Sequence, residues 1–328
     1  MKNNIFNFFK NLLNKSFWST FFQKGWKRIK KTKIYGFSYF RPPDYRYQLE
    51  VFKQRVNPRR RKEIESRIQS FSYKPLISVV MPVYNVERQW LIEAIESVFK
   101  QIYTDWELCI ADDASPAPYI KEVLENYRKK DPRVKVVYLS SNVGIALSTN
   151  EALTLAKGEF VAFMDHDDCL APSSLFEVVD LLNREPLTDL IYTDEDKLSM
   201  GGLRLRPVRK QAWDPSLLLS YNYICHLVVC RSNLIHTIGQ LRQGFEGSQD
   251  YDFLLRITEL TNHVVHIPKV LYHWRMIPGS AAAIIDAKAK AFDHARKALQ
   301  EALIRRGIKG KIEDGHLPGT FHVIEEES

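Results

Sequence analysis

The 328-residue chain lacks the roughly 18 continuous apolar residues that a membrane-spanning helix needs. It is poor in cysteine. Cys109, Cys169, Cys225 and Cys230 match no disulfide framework and no zinc spacing. Cys225 and Cys230 with His226 make a weak candidate metal cluster, and ordinary buried thiols in a reducing compartment are the plainer reading. Neither GxGxxG nor GxxxxGKS/T occurs, so the glycine-rich loops that cradle phosphate with backbone amides are missing. No nucleic-acid-binding motif occurs either, and nucleic acid is not expected as a partner.

What is present is unevenly charged. The formal net charge is +8, yet residues 1–75 hold 19 Lys and Arg against 4 Asp and Glu, while the remainder holds 28 against 35. A mildly acidic body therefore follows a basic arm. In the arm, Ile5, Phe8, Phe9, Leu12 and Leu13 recur at helical spacing, Phe17, Trp18, Phe21, Phe22 and Trp26 add aromatic surface, and seven lysines and arginines lie among or just after them. Its apolar stretches are too short and broken for a secretory signal. The pattern predicts an amphipathic helix over residues 1–40 lying on an anionic bilayer, each basic residue contributing about 1 kcal/mol before screening. Packing on the body or on a partner is the alternative. The expected location is cytoplasmic, peripheral at the inner face of the cell membrane.

Residues 41–75 read as a linker or helical hairpin with an exposed charged stretch, NPRRRKEIESRI. From Leu76 the pattern changes to short apolar runs alternating with helical spacing. LISVVM is a strand ended by Pro82, WELCIADD, VKVVYLS, EFVAFMDHDD and DLIYTDED are further strands, and YIKEVLENYRKK, GIALSTNEALTLAKG and SSLFEVVDLLNR are helices, closed or capped by Gly158 and by Ser173 or Ser174. This alternation predicts an α/β fold with a mostly parallel central sheet flanked by helices. Ligands bind beyond the carboxyl ends of such strands. Tyr84 and Asn85, Asp112 and Asp113, Asp165 to Asp168, and Asp194 to Asp196 all follow expected strand ends, which places four polar stretches on one rim. Carboxylates crowded there repel unless a cation holds them, and oxygen-rich sites suit hard divalent metals shared with substrate phosphates. The alternatives are an Asx turn at Asp112 and Asp113 and a solvated helix-capping turn at Asp165–Asp168.

The segments VVMPVYN, ELCIADDAS, NVGIALSTNEAL, GEFVAFMDHDD, GSQDYDFLLR and VLYHWR, in this order across residues 76–280, resemble glycosyltransferase family 2 and its GT-A fold. YTDEDK and LLLSYNYICHLVV are similar to the subgroup that builds bacterial surface polysaccharides. The resemblance implies metal-dependent, inverting transfer from a UDP- or dTDP-linked sugar to a glycan or lipid-linked acceptor. It implies that Pro82, Tyr84, Asp112 and Asp113 line the nucleotide pocket, and that Asp165 belongs both to that pocket and to the metal set. Asp165, Asp167, Asp168 and His273 would hold Mn2+ or Mg2+, and Asp250 would be the general base. Asp252 is read as a helix cap, Glu246 and Gln249 as loose acceptor contacts, and Trp274 as a sugar platform or core aromatic. Thr149 stands where many relatives carry Arg. Arg204, Arg206, Arg209 or Lys210 are possible substitutes for that cation, an ordinary solvated loop being the simpler reading.

The expected domains are a basic extension at 1–75, a GT-A domain at 76–280 with halves 76–197 and 198–280, and a C-terminal helix and tail at 281–328. An inactive binding or scaffold protein of the same fold is the alternative function. A phosphoacceptor domain is disfavoured, because a cluster of three acids at the fourth strand fits it poorly. The oligomeric state is not legible.

Overall fold

Alternate residues of the first apolar run face opposite layers. Ile77, Val79 and Met81 enter one hydrophobic cluster and Val80 the other. Leu108 and Ile110 separate from Cys109 and Ala111 in the same way. A strand covered on both faces must be apolar throughout, which is why these runs do not alternate with polar residues. A computed structural model of the chain describes residues 42–277 and 285–325. The amphipathic segment 1–40 lies outside the described residues.

Two helices, α1 (Pro42–Gln54) and α2 (Pro58–Gln69), precede β1 (Ile77–Val83). Asn57 caps α2 by accepting the Arg60 amide at 2.9 Å. There follow α3 (Arg88–Phe99), β2 (Trp106–Asp112), α4 (Pro118–Lys130), β3 (Val134–Tyr138), α5 (Ile145–Thr154), β4 (Phe160–Phe163), β5 (Cys169–Leu170) and α6 (Ser174–Arg184). The second half contains β6 (Leu190–Leu198), β7 (Arg204–Val208), α7 (Pro215–Leu218), β8 (Val228–Arg231), α8 (Ser232–Thr237), α9 (Gln249–Ile257) and β9 (Val264–Arg275). Last come α10 (Ile285–Arg305) and the hairpin β10 (Gly310–Asp314) with β11 (Phe321–Glu325).

The main sheet is ordered β3-β2-β1-β4-β8-β6-β9-β5, with β7 paired to β6. β1, β2, β3 and β4 are mutually parallel, β6 and β9 are parallel, and β8 runs against both β4 and β6. This is the mixed, curled α/β sheet of the GT-A fold.

The body reaches past the expected edges of the catalytic segment. Tyr47, Val51, Ile64 and Phe71 are buried at one end, and Ala298, Leu299, Ala302, Leu303 and Phe321 at the other. Several local expectations are corrected. β1 runs through Pro82 to Val83; Pro82 has no N–H to donate but lies past the last pairing with β4 at Val80, and the Val83 carbonyl accepts the Asp113 amide at 2.8 Å. Gly158 does not close α5. It lies where an added Cβ would sit 2.7 Å from the Leu76 carbonyl, so only glycine lets β4 start beside β1. Neither Ser173 nor Ser174 caps α6 with its side chain; the Ser174 hydroxyl donates to Ala171 and Leu271 carbonyls. Asp252 is no cap either. It is fully buried, and its carboxylate is gripped by Arg242 and by Arg256 one turn on.

That Arg–Asp–Arg cluster joins the 238–242 turn to α9, since Arg256 also donates to the Ile238 and Gln240 carbonyls. Removing one partner of a buried ion pair typically costs roughly 3–5 kcal/mol. Asp252→Ala is therefore expected to lower the denaturant midpoint by an equivalent amount, and an unchanged midpoint in chemical unfolding would show that the cluster contributes nothing.

Candidate active site

Three of the four polar stretches meet at one edge. β2, β1 and β4 are neighbours and parallel; Asp112 and Val83 end level, β4 ends at Phe163 opposite Val80, and the chain leaves each strand on the same side. Tyr84 follows β1 and is 46% exposed, an aromatic face held open at the rim. Pro82 is buried beneath it, and its carbonyl meets His166 Nδ1 at 3.0 Å.

Asp112 and Asp113 shape the loops around this edge. Asp112 Oδ1 accepts the Ser115 amide at 3.2 Å, and Ser115 Oγ accepts the Asn85 amide at 2.9 Å. Asp113 is buried, its two oxygens accepting the amides of Val143 at 2.7 Å and Gly144 at 2.9 Å. A carboxylate at the start of α5 also suits the helix dipole. Gly144 has φ +87°, a left-handed turn that glycine adopts without strain. Thr149, one turn into α5, folds its hydroxyl back onto the Ile145 carbonyl at 2.7 Å and presents no cation.

The aspartates after β4 divide by environment. Asp168 is fully buried: Oδ2 accepts the Tyr272 hydroxyl at 2.7 Å and Oδ1 accepts the Arg275 amide at 2.7 Å. Tyr272 accepts the Asp165 amide through the same hydroxyl at 3.1 Å. Arg275 Nε donates to the Asp167 carbonyl at 2.7 Å, while its guanidinium pairs with Glu93 and lies over Trp90. β9 thus holds the acidic loop at three points, and Asp168 is a fastener of that loop, not an exposed metal ligand. Asp165 lines the cleft, and Asp167, two residues on, is partly exposed. Burial, and then the charges of Asp165 and Asp167, hold the Asp168 carboxyl well above the usual range. Burial also raises that of Asp167, with Asp165 adding to the rise against the pull of His166.

His273 is corrected as well. Its Nδ1 faces Asp196 Oδ1 at 2.7 Å in the interior, and burial lowers its pKa despite that partner. The fourth acidic stretch does not lie beyond a strand end: Asp194, Glu195 and Asp196 are inside β6 and buried. Each is compensated. Asp194 meets His266 and Arg209, Glu195 meets Lys197 and Lys210, and Asp196 meets Arg204, Tyr47 and His273. Arg204, Arg209 and Lys210 are therefore neither a solvated loop nor stand-ins for the cation absent at Thr149. The hydroxyl of Tyr47, in α1, donates to Asp196 and the side-chain amide of Gln48 to the Arg204 carbonyl.

Asp250 opens α9 and reaches the same cleft as Asp165. Pro82, Thr149, Asp165, His226, Gln249 and Asp250 all line one cavity there. Asn222 Nδ2 donates to Asp250 Oδ2 at 2.9 Å and the Tyr251 amide to Oδ1 at 2.8 Å. Burial raises the Asp250 carboxyl, Asp165 adds to the rise, and His226 and the Tyr251 amide oppose it. Gln249 turns its Oε1 to the Gly247 amide, and the exposed Glu246 accepts the Gly244 amide. Trp274 is half-buried, with Lys197 Nζ 3.6 Å above its ring. Sequence reasoning missed Asn222, Tyr272 and Arg275 altogether, and noticed His226 only beside two cysteines that are free thiols.

Residues 78–218 match the family model described as Glycosyl transferase family 2. The chain is 46% identical over 76% of its length to the uncharacterized protein y4gI of Sinorhizobium fredii, covering 28% of it. It is 37% identical over 78% of its length to the O-antigen biosynthesis protein RfbC of Myxococcus xanthus, covering 20% of that protein. The chain thus spans about a quarter of the length of these two relatives. Among solved structures, S. aureus TarS 1–349 in complex with UDP-GlcNAc superposes with TM-score 0.58 at 21% identity, over 69% of this chain and 66% of TarS 1–349. The mannosyltransferase PcManGT from Pyrobaculum calidifontis, in complex with GDP-Man and Mn2+, gives 0.56 at 18% identity, over 73% and 70%.

The division among the aspartates has opposite consequences for stability. Asp165→Asn removes one of three crowded charges and is expected to leave Tm unchanged or raise it. Tyr272→Phe takes the donor from buried Asp168 and the acceptor from the Asp165 amide, and is expected to cost about 1–3 kcal/mol. Thermal unfolding of the two variants checks this; a fall in Tm for Asp165→Asn would place that side chain among the fasteners.

Proposed function

The chain belongs to glycosyl transferase family 2 through residues 78–218, and from that premise we propose that it transfers a sugar from a nucleotide-diphosphate sugar, with inversion, to a hydroxyl of a growing surface polysaccharide or lipid-linked glycan. The observation that carries this reading is the meeting of Asp165 and Asp250 in one cavity, lined also by Pro82, two residues before the exposed Tyr84. Tyr84 offers a stacking face to the base, and the loops set by Asp112 and Asp113 wall the nucleotide. The bacterial RfbC and TarS likenesses support a glycan product and a nucleotide-sugar donor.

A divalent cation fits the donor set. Asp165 and Asp167 are partly exposed oxygen donors, two residues apart, and among the described residues neither carboxylate is gripped by a lysine or arginine as the acids of β6 are. No group of three or more His, Cys, Asp or Glu gathers as a complete cage among the described residues. A hard cation held by two carboxylates and completed by phosphate oxygens and water matches that arrangement. When bound, Mn2+ or Mg2+ neutralises charge on the departing diphosphate.

The chain's own groups do the rest. Asp250 takes the proton of the attacking hydroxyl, on the far side of the transferred sugar from the diphosphate. Asn222 and the Tyr251 amide orient its carboxylate. A raised carboxyl pKa makes it a better proton acceptor at neutral pH. The buried Tyr272–Asp168 pair keeps the metal-binding loop from shifting.

Asp250→Asn is expected to lower kcat by about 10²–10⁴-fold. The acid limb of the wild-type pH–rate profile should lie above the range of a free carboxylate, because only ionised Asp250 accepts a proton. Donor turnover across pH, with and without EDTA, checks both; parental activity in the Asp250 variant would remove it as the base.

The arm is proposed to hold the enzyme at an anionic surface near a lipid-linked acceptor. Among the described residues no helix is long and apolar enough to cross a membrane. Full-length chain is expected to sediment with phosphatidylglycerol vesicles and the chain lacking residues 1–40 to stay in the supernatant, and equal sedimentation would reject the arm's role.

A further inference from the structure

One group in the cleft has its backbone and ring fixed while its polar edge is left largely unused. His226 lies just before β8. Lys210 Nζ, itself buried, donates to the carbonyls of Ile224 and His226, and Asn222 Oδ1 accepts the Cys225 amide at 3.1 Å. The imidazole stacks on Tyr272 with centroids 4.9 Å apart and planes at 19°, and Trp274 meets it edge-on at 6.1 Å. The ring is therefore gripped by its faces. Its Nδ1 is buried with no hydrogen-bond partner among the described residues. Its Nε2 lies 3.4 Å from Asp165 Oδ2, beyond the length of a good N–H···O bond. Buried imidazole nitrogens are ordinarily paired, and an orphan calls for a ligand or a reason.

Position supplies the reason. His226 lines the cavity together with Asp165 and Asp250, and His226 and Asp165 both lie close enough to Asp250 to act on its charge, in opposite senses. In an inverting transfer the sugar ring occupies the space between the diphosphate side and the base side. This inference rests on the function proposed above. We propose that His226 is a donor-sugar contact: its imidazole edge hydrogen-bonds a hydroxyl or acetamido group of the transferred sugar, and so selects which sugar is accepted. The lysine that pins residues 224–226 places this edge, and the same segment carries Asn222, which orients the base. Donor recognition and base orientation thereby share one support.

The test separates nucleotide binding from sugar binding. Calorimetric titrations with Mn2+ compare each diphosphate with its sugar form: UDP with UDP-GlcNAc and UDP-glucose, dTDP with dTDP-rhamnose, and GDP with GDP-mannose. The proteins are wild type, His226→Phe, which keeps a ring on Tyr272, and His226→Gln, which restores a polar group. The pair that wild type binds best is the probe. His226→Phe is expected to keep the affinity for the diphosphate and to lose roughly three- to tenfold for the sugar form, the range of one hydrogen bond, with His226→Gln recovering part of the loss. If His226→Phe does not fold, His226→Gln alone is expected to reorder the preference among sugar forms at constant diphosphate affinity. Unchanged sugar affinity and preference in the folded variants overturns the proposal, and so does an equal loss for diphosphate and sugar. Binding of none of these ligands by wild type overturns the nucleotide-sugar reading and this inference with it, a result distinct from either variant outcome.

Discussion

Uncompensated negative charge at the carboxyl edge of the sheet is the constraint on which the rest of the molecule turns. Among the described residues, two acidic clusters in the main sheet and its loops are treated differently. Asp194, Glu195 and Asp196 are buried in β6 and matched by Arg204, Arg209, Lys210, Lys197, His266 and His273. Such a cluster is structural, since buried charges persist only when paired and hydrogen-bonded. Asp165, Asp167 and Asp168 receive no comparable set of cations. One of them is tied down by a phenol and an amide, and its carboxyl is held high. This contrast between neutralised and crowded acids is what supports the proposal that a cation from outside completes the second cluster.

The architecture supports that division. Three neighbouring parallel strands bring Tyr84, the Asp112–Asp113 turn and Asp165 to one edge, and the second half of the chain returns β9 and α9 across it. β9 fixes the acidic loop through Tyr272 and Arg275, and α9 delivers Asp250. Lys210 links the two clusters, because its ammonium pairs with Glu195 inside the structural cluster and holds the carbonyls beside His226 at the edge of the functional one. Rigidity at the site is thus borrowed from the compensated acids of β6.

Much of the first half was legible in the sequence because its signals are local. Apolar runs ending in acids mark strands that finish at a rim, and helical spacing between them fixes the parallel connections. The resemblance through GSQDYDF singled out Asp250, which the structure places in the first turn of α9 and in the lining of the cavity. What the sequence concealed depends on pairing between distant segments. DLIYTDED looks like another strand with acids beyond its end, and only the cations of β7 and the following loop, with His266 and His273 of β9, reveal that the strand continues through them. Asp168 and His273 carry the residue types of metal ligands, yet Tyr272, Arg275 and Asp196 claim them. His226 gave only a weak signal beside two unrelated cysteines, since its environment is built by Tyr272 and Trp274, nearly 50 positions away.

The most direct measurement is anomalous scattering at the manganese edge from crystals soaked in MnCl2 and inorganic pyrophosphate, a probe that needs no assumption about base or sugar. The account predicts a manganese peak at Asp165 and Asp167 with pyrophosphate oxygens completing its shell, and none along β6. A peak among Asp194, Glu195 and Asp196, or an empty edge at Asp165 under saturating metal, would contradict it.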